Sequence, residues 1–385
     1  VDAVTRLLSD LVAIPSVNPM GRPLQGAQFL ETRMSDYLEQ WFRELGVPYE
    51  RREVSPGRDN LIARYESPRN TKTLLFDAHQ DTVPTDGMTI PPFTPEIRDG
   101  RLHGRGSCDI KGGMAAMLEA FARLVRERPA NSASVVMACT VDEEFTHTGS
   151  SQLAEMLPLA DYGIIAEPTM LNIVHRHKGA VRWKIRTKGV ACHSSTPKLG
   201  VNAIYKMGEA LGALAEYAEL LSKSKPDPIL GPPSLSVGRI EGGQSVNIVP
   251  DWCEVEVDRR MIPGETPSQC LKLVDDHLRS RLGDTVSWEF FPPWVRMPPL
   301  AQEVGEGHGW VGQVQNAVGN ATGRTPTLGG VPYGTDAGPL CQAGLPCLVI
   351  GPGDIAQAHT KDEWIEIEQL QLAVEAYFQI ALAFG

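Results

Sequence analysis

Residues able to bind metal or move protons recur along this chain where short apolar runs end. Asp77-Ala78-His79-Gln80-Asp81 follows Thr73–Phe76, Asp142-Glu143-Glu144 follows Val135–Val141, and Glu167-Pro168 follows Tyr162–Ala166. His359 closes a glycine-containing stretch after Cys347–Ile350, and Asp109 lies in a turn with Gly104, Gly106, Gly112 and Gly113. Histidine with carboxylate, without clustered cysteine, is the donor set of zinc or a similar divalent ion. Asp109, Glu144 and Glu167 bring three negative charges and a hydroxide a fourth. Two Zn2+ ions neutralise that set, whereas one would leave carboxylates repelling each other. A pair of ions about 3.5–4 Å apart polarises a carbonyl and lowers a water's pKa towards ~7. His79 and Asp81, at i and i+2 of an extended segment, point the same way, so Asp81 is expected to accept the second ring N–H of a ligand histidine.

Taken singly, each residue has an ordinary reading. His79 could be a satisfied buried histidine, Asp109 a helix cap, and the Asp142–Glu144 run a solvated loop. Their joint placement after strands is what points to a site, because open α/β sheets bind ligands at the carboxyl ends of their strands.

The elements that would position these groups alternate between strand and helix. Val4, Leu7, Leu8, Leu11 and Val12 mark one amphipathic helix, and Met34, Leu38, Trp41, Phe42 and Leu45 mark a second, closed by Gly46. The runs named above read as buried strands, with helices on Met114–Val125 and Leu370–Leu382, which implies a layered α/β sheet. The middle differs. Val181, Trp183 and Ile185 alternate with charged residues, as do Cys253, Val255 and Val257. With helices near Val201–Leu221 and Ser268–Leu282, and strands at Leu235–Ile240 and Val286–Phe291, the order is β-α-β-β-α-β, the ferredoxin-like split arrangement. The division expected is 1–178 with 294–385 for the α/β part and 179–293 for the insert.

Composition narrows the function classes. The chain has 385 residues, 42% hydrophobic and 22% charged, with 36 Lys and Arg against 47 Asp and Glu, a formal charge of −11. That suits a globular protein of two or three domains and makes nucleic acid an unlikely partner. No apolar run nears the ~18 residues of a membrane span, and the opening Val1–Leu8 lacks the pattern of a signal peptide. Seven dispersed cysteines without Cys-x-x-Cys read as reduced thiols of a cytoplasmic protein. Gly104-x-Gly106 hints at a dinucleotide fold, but Asp109 replaces the third glycine and no strand leads cleanly into the turn. A non-catalytic relative would have lost an acid or a ligand, and none is missing.

The sequence resembles the zinc amidohydrolase family of acetylornithine deacetylase, succinyl-diaminopimelate desuccinylase, aminoacylase and glutamate carboxypeptidase. His79–Pro84, Gly104–Gly113, Asp142–Glu144, Ala166–Thr169, His193–Ser195 and Gln357–His359 carry the likeness in order along nearly the whole chain. The resemblance implies a zinc-exopeptidase-like α/β catalytic domain with the insert as lid and dimerisation domain. It implies two Zn2+, replaceable by Co2+ or Mn2+, with His79 and Glu167 on one ion, Glu144 and His359 on the other, and Asp109 bridging. Asp81 would orient His79. Glu143 would be the general base that activates a metal-bridging water and passes its proton to the leaving amine. His193 would cross a homodimer interface to stabilise the oxyanion. Arg259 would clamp the substrate carboxylate, with Asn247, Gly334 and Thr335 as further substrate contacts.

The likeness runs closest to acetylornithine deacetylase, implying hydrolysis of an N-acyl amino acid. Desuccinylase or glutamate-carboxypeptidase activity on a small acyl substrate or short peptide is the alternative. The stretch Tyr333–Gly338 departs from the deacetylase pattern, which has glutamate near Asp336.

Overall fold

Polar residues that would terminate an isolated strand are tolerated in this sheet because neighbouring strands supply partners. In the computed structural model, which describes residues 1–69, 72–305 and 309–385, the strand Thr73–His79 runs past Phe76 through Asp77 to His79 itself. The Asp77 carboxyl lies 3.0 Å from the Thr140 hydroxyl on the adjacent strand, which is why the strand does not stop where its apolar residues do. His79 is therefore the last residue of a strand held on both sides, not part of a loop.

The chain divides into two units, Val1–His175 with Leu300–Gly330 and Thr335–Gly385, and Arg176–Pro299 with Val331–Gly334. The first unit contains a mixed sheet. Tyr49–Ser55, Arg58–Tyr65, Ser134–Thr140, Thr73–His79, Tyr162–Ile165 and Cys347–Val349 lie side by side in that order, with the last four mutually parallel. Parallel strands buried on both faces need continuous apolar sequence, as Ser134–Thr140 shows with every residue buried. Helices Ala3–Ala13, Thr32–Leu45, Lys111–Glu127 and Ile367–Ala383 join the core through Leu8, Phe42, Phe121 and Tyr377. Asp2 caps the first helix by accepting from Thr5 N at 2.8 Å, and Gly46 ends the second in the left-handed region at φ 74°.

The second unit has a sheet in the order Ser234–Gly242, Trp252–Met261, Gly179–Lys188, Trp288–Phe290, with all neighbours antiparallel. In chain order that is 2-3-1-4, the ferredoxin-like arrangement expected. Helices Ala203–Ser222 and Pro267–Leu282 cover one face, burying Trp183, Ile185, Leu214, Val255, Val257 and Val274. A capping box at Thr266 and Gln269 starts the second of these helices. Two pairings were not legible in the sequence. Val295–Met297 adds to the Gly179–Lys188 strand, and Cys192–His193 pairs with Ile248–Val249.

Gly113 shows how tightly helix and sheet meet. A Cβ there would lie 2.8 Å from the Ala166 side chain, one residue before Glu167. Gly113→Val should therefore destabilise the fold by about 1–3 kcal/mol, read as a lowered urea midpoint with unchanged m. An unshifted midpoint would show that this close approach is not required.

Candidate active site

The rim of the first unit's sheet brings His79, Asp109, Glu143, Glu144, Glu167 and His359 together. His79 Nε2 lies 3.3 Å from Asp109 Oδ1 and 4.0 Å from Glu167 Oε1. His359 Nε2 lies 3.3 Å from Asp109 Oδ2 and 3.2 Å from Glu144 Oε2. Asp109 thus turns one oxygen to each histidine–carboxylate set, and each set has donor atoms within 4.8 Å of one another. Donors about 2.0–2.2 Å from a tetrahedral ion stand roughly 3.3–3.5 Å apart, close to the shorter of these spacings. His79 Nε2 and Glu144 Oε1 are buried without a hydrogen-bond partner among the described residues, as atoms awaiting a cation would be. The donor set fits two divalent ions.

Three anchors hold it. His79 Nδ1–H donates to the backbone carbonyl of Asp81 at 2.9 Å, leaving Nε2 as the lone-pair donor. The expected partner, the Asp81 carboxylate, stands 3.6 Å off. It instead accepts from Glu143 N at 3.1 Å, Glu144 N at 3.2 Å and Asn18 Nδ2 at 2.8 Å, fixing the loop that carries Glu143 and Glu144. The second anchor is Glu363. Its two oxygens accept from Arg105 Nη1, Gly106 N, Cys108 N and Asp109 N at 2.7–3.0 Å, tying the Asp109 turn to the segment that bears His359. Third, Asp142 is no solvated loop residue. Asn18 Nδ2 donates to it at 2.9 Å, and Arg58 pairs with it at 3.2 Å.

Electrostatics follow from crowding carboxylates out of water. Burial, reinforced by Glu167, pushes Glu143 well above the carboxylate range. Burial and Asp109 do the same to Glu167 and raise Glu144. For Asp109 burial is outweighed by the His359 and His79 rings beside it, which depress it. Burial alone would lower His79, but Asp109, Glu143, Asp81 and Glu167 overcome it and raise the ring well above its usual value. His359, half-exposed, is raised by Asp109 and Glu144. Without metal the site holds protons where it wants positive charge, and a bound cation would displace them.

A neighbouring set was not seen in the sequence. His147 Nδ1 lies 3.2 Å from Asp336 Oδ1 and 3.7 Å from Glu143 Oε1. The Thr140 hydroxyl stands 2.9 Å from Asp336 Oδ2 and 3.0 Å from Asp77 Oδ1, although it has one proton to give. Burial and Asp336 raise Asp77 strongly. The only sequence signal for His147 was its place four residues after Glu143.

The remaining candidates belong to the second unit, apart from Thr335. His193 is exposed on the short strand Cys192–His193. Its Nδ1 accepts from Ser195 N at 3.1 Å and lies 2.7 Å from the Ser195 hydroxyl. Ser194 N donates to the Asn247 carbonyl at 3.0 Å, placing Asn247 beside that strand. Arg259 shares the buried face of its strand with Cys253, Val255 and Val257. It is fully buried, and its Nη2 pairs with Glu265 at 2.6 Å. Arg260, one residue on, faces the other side, partly exposed and paired with Asp258 at 2.8 Å. Gly334 is bare because the Met297 side chain occupies the space of a Cβ. Thr335 is buried, its Oγ1 accepting from Ala337 N at 3.2 Å.

The model of peptidase family M20/M25/M40 matches residues 75–383. An acetylornithine deacetylase of Vibrio atlanticus (strain LGP32) is 33% identical over 354 residues, 89% of each chain. Its counterpart in Vibrio vulnificus (strain CMCP6) is 33% identical over 362 residues, 91% of this chain and 90% of that one. Among solved structures, an M20 family metallo-carboxypeptidase of Sulfolobus solfataricus superposes with a TM-score of 0.79 at 20% identity, covering 100% of this chain and 99% of its own. A dinuclear metal-binding M20 peptidase of Bacillus subtilis gives 0.68 at 17%, covering 98% and 96%.

Asp81→Asn replaces one acceptor oxygen with an NH2 facing backbone N–H groups. It should weaken zinc binding about 10–100-fold in competition with a chromophoric chelator. Wild-type affinity would show that the Asp81 carboxylate does not hold the ligand loop.

Proposed function

The chain belongs to peptidase family M20/M25/M40, and from that membership we propose that this metal-dependent hydrolase is a dinuclear zinc enzyme that cleaves the amide bond of N-acyl amino acids. The observation that carries the reading is Asp109, whose two oxygens face separate histidine–carboxylate sets. His79 and Glu167 would hold one ion, Glu144 and His359 the other, with Asp109 between them. The ions would supply Lewis-acid polarisation of the scissile carbonyl and acidify the attacking water.

The chain's own residues do the rest. Glu143, its carboxylate flanked by His79 Nε2 at 3.9 Å and His147 Nδ1 at 3.7 Å, takes the proton from water and returns it to the leaving amine. Its raised affinity for a proton, the product of burial, suits a group that must hold one between those two steps. The partner subunit's His193 donates its Nε2–H to the tetrahedral oxyanion. Arg260, whose guanidinium is accessible where that of Arg259 is enclosed, holds the substrate carboxylate, and Asn247 offers an amide to the acyl carbonyl. The homodimer this requires is supported by the strand Ser234–Gly242 at the edge of its sheet, and by exposed Ile204, Tyr205, Ile240 and Val246. Likeness to the Vibrio acetylornithine deacetylases favours an N-acetylated basic amino acid. Among the described residues no helix is long and apolar enough to cross a membrane, and all seven cysteines are free thiols.

The test is release of free amino acid by zinc-reconstituted protein from N-acetylornithine, N-acetylcitrulline, N-acetylmethionine, N-succinyl-diaminopimelate and a glutamyl-terminal peptide. Zinc-restored cleavage of an N-acetyl amino acid is expected, with Glu143→Gln lowering kcat at least ~100-fold at unchanged zinc content. Cleavage of only the succinyl or peptide substrate would transfer the assignment to those branches. Full activity of Glu143→Gln would contradict the base assignment.

A further inference from the structure

We infer that His147, seated on Asp336, is a positioning residue that sets the Glu143 carboxylate; this rests on Glu143 being the general base. His147 begins the helix Thr148–Glu155 from the left-handed region at φ 56°, a conformation histidine adopts more readily than most residues. Its N–H donates to the Asp142 carbonyl at 2.7 Å, locking that backbone and turning the ring towards the Asp142–Glu144 segment. The side chain is buried, with Nδ1 3.2 Å from Asp336 Oδ1 and 3.7 Å from Glu143 Oε1.

Asp336 is in turn fixed by Thr140 Oγ1 at 2.9 Å from its other oxygen. Thr140 ends a central strand and Asp336 precedes the helix Ala337–Gln342, so the ring rests on two rigid elements. Glu143 and Asp336 are both buried carboxylates, and without a donor between them like charges would push the Glu143 side chain away. The imidazole supplies that donor. Nδ1–H stands between the two carboxylates, bonded to Asp336 and close enough to Glu143 Oε1 to hold its orientation electrostatically. Glu143 Oε2 is thereby left on the side of His79 Nε2, 3.9 Å away. His147 touches none of the five metal ligands through the contacts just named, and acts through Glu143.

The experiment compares full-length, zinc-loaded wild type with His147→Leu, His147→Asn and Glu143→Gln, using the N-acyl amino acid the enzyme cleaves fastest. Leucine removes the donor; asparagine can place an amide N–H near the position of Nδ1. His147→Leu should lower kcat about 10–100-fold, within the range of general acid–base contributions, with KM within about twofold and zinc content unchanged. His147→Asn should recover most of that loss. The inference is overturned by a His147→Leu kcat within about twofold of wild type, by asparagine falling as far as leucine, or by loss that follows zinc content. It is also overturned if excess zinc adds a further equivalent that His147→Leu abolishes, since the cluster would then be a cation site. An inactive Glu143→Gln beside a fully active His147→Leu removes this inference alone, whereas an active Glu143→Gln removes the base assignment beneath it.

Discussion

A crowd of carboxylates taken out of water dictates the design of the first unit. Asp77, Asp81, Asp109, Glu143, Glu167 and Asp336 are all buried, and Glu144 lies against them. Such a group is held together only if positive charge or protons are brought in to match it. The protein supplies part of this through Asn18, Arg58 and backbone N–H groups. The remainder falls at His79, Asp109, Glu144, Glu167 and His359, where His79 Nε2 and Glu144 Oε1 lack hydrogen-bond partners among the described residues. Residual negative charge in a preformed cradle is what a metallohydrolase needs, because the cations it attracts then act on substrate.

Rigidity comes from two carboxylates that are not themselves in the ligand set. Asp81 joins the end of the strand Thr73–His79 to the Glu143–Glu144 backbone, and Glu363 joins the Asp109 turn to the His359 segment. Each accepts several N–H bonds, so each connects two stretches of chain that carry functional groups. The place of Asp109 between the two histidine–carboxylate sets is thereby fixed.

The gathering of the candidate residues was legible because most of them sit where strands end, and strand ends are among the clearer features of a buried parallel sheet. The ferredoxin-like order of the second unit was legible for a similar reason, since Val181–Ile185 and Cys253–Val257 alternate with period two. The same period explains the difficulty at Arg259. In a strand one residue decides the face, and a pattern of Cys253, Val255 and Val257 already places Arg259 inward and Arg260 outward. Asp77 stood in the polar run but had no role of its own, because its partner Thr140 lies on another strand, 63 positions away. His147 and Asp336 are 189 positions apart, and no local pattern announces their meeting. Asp81 was placed in the site with the wrong atom facing His79, since the spacing i, i+2 aligns side chains but cannot tell whether a carbonyl lies nearer.

The central claim is that one carboxylate bridges two cations, and anomalous diffraction at the zinc edge from crystals of the reconstituted protein tests it most directly. The account predicts two zinc peaks about 3.5–4 Å apart, one between His79 and Glu167, the other between Glu144 and His359, with Asp109 contacting both. A single peak, or two peaks that share no contact with Asp109, would contradict it.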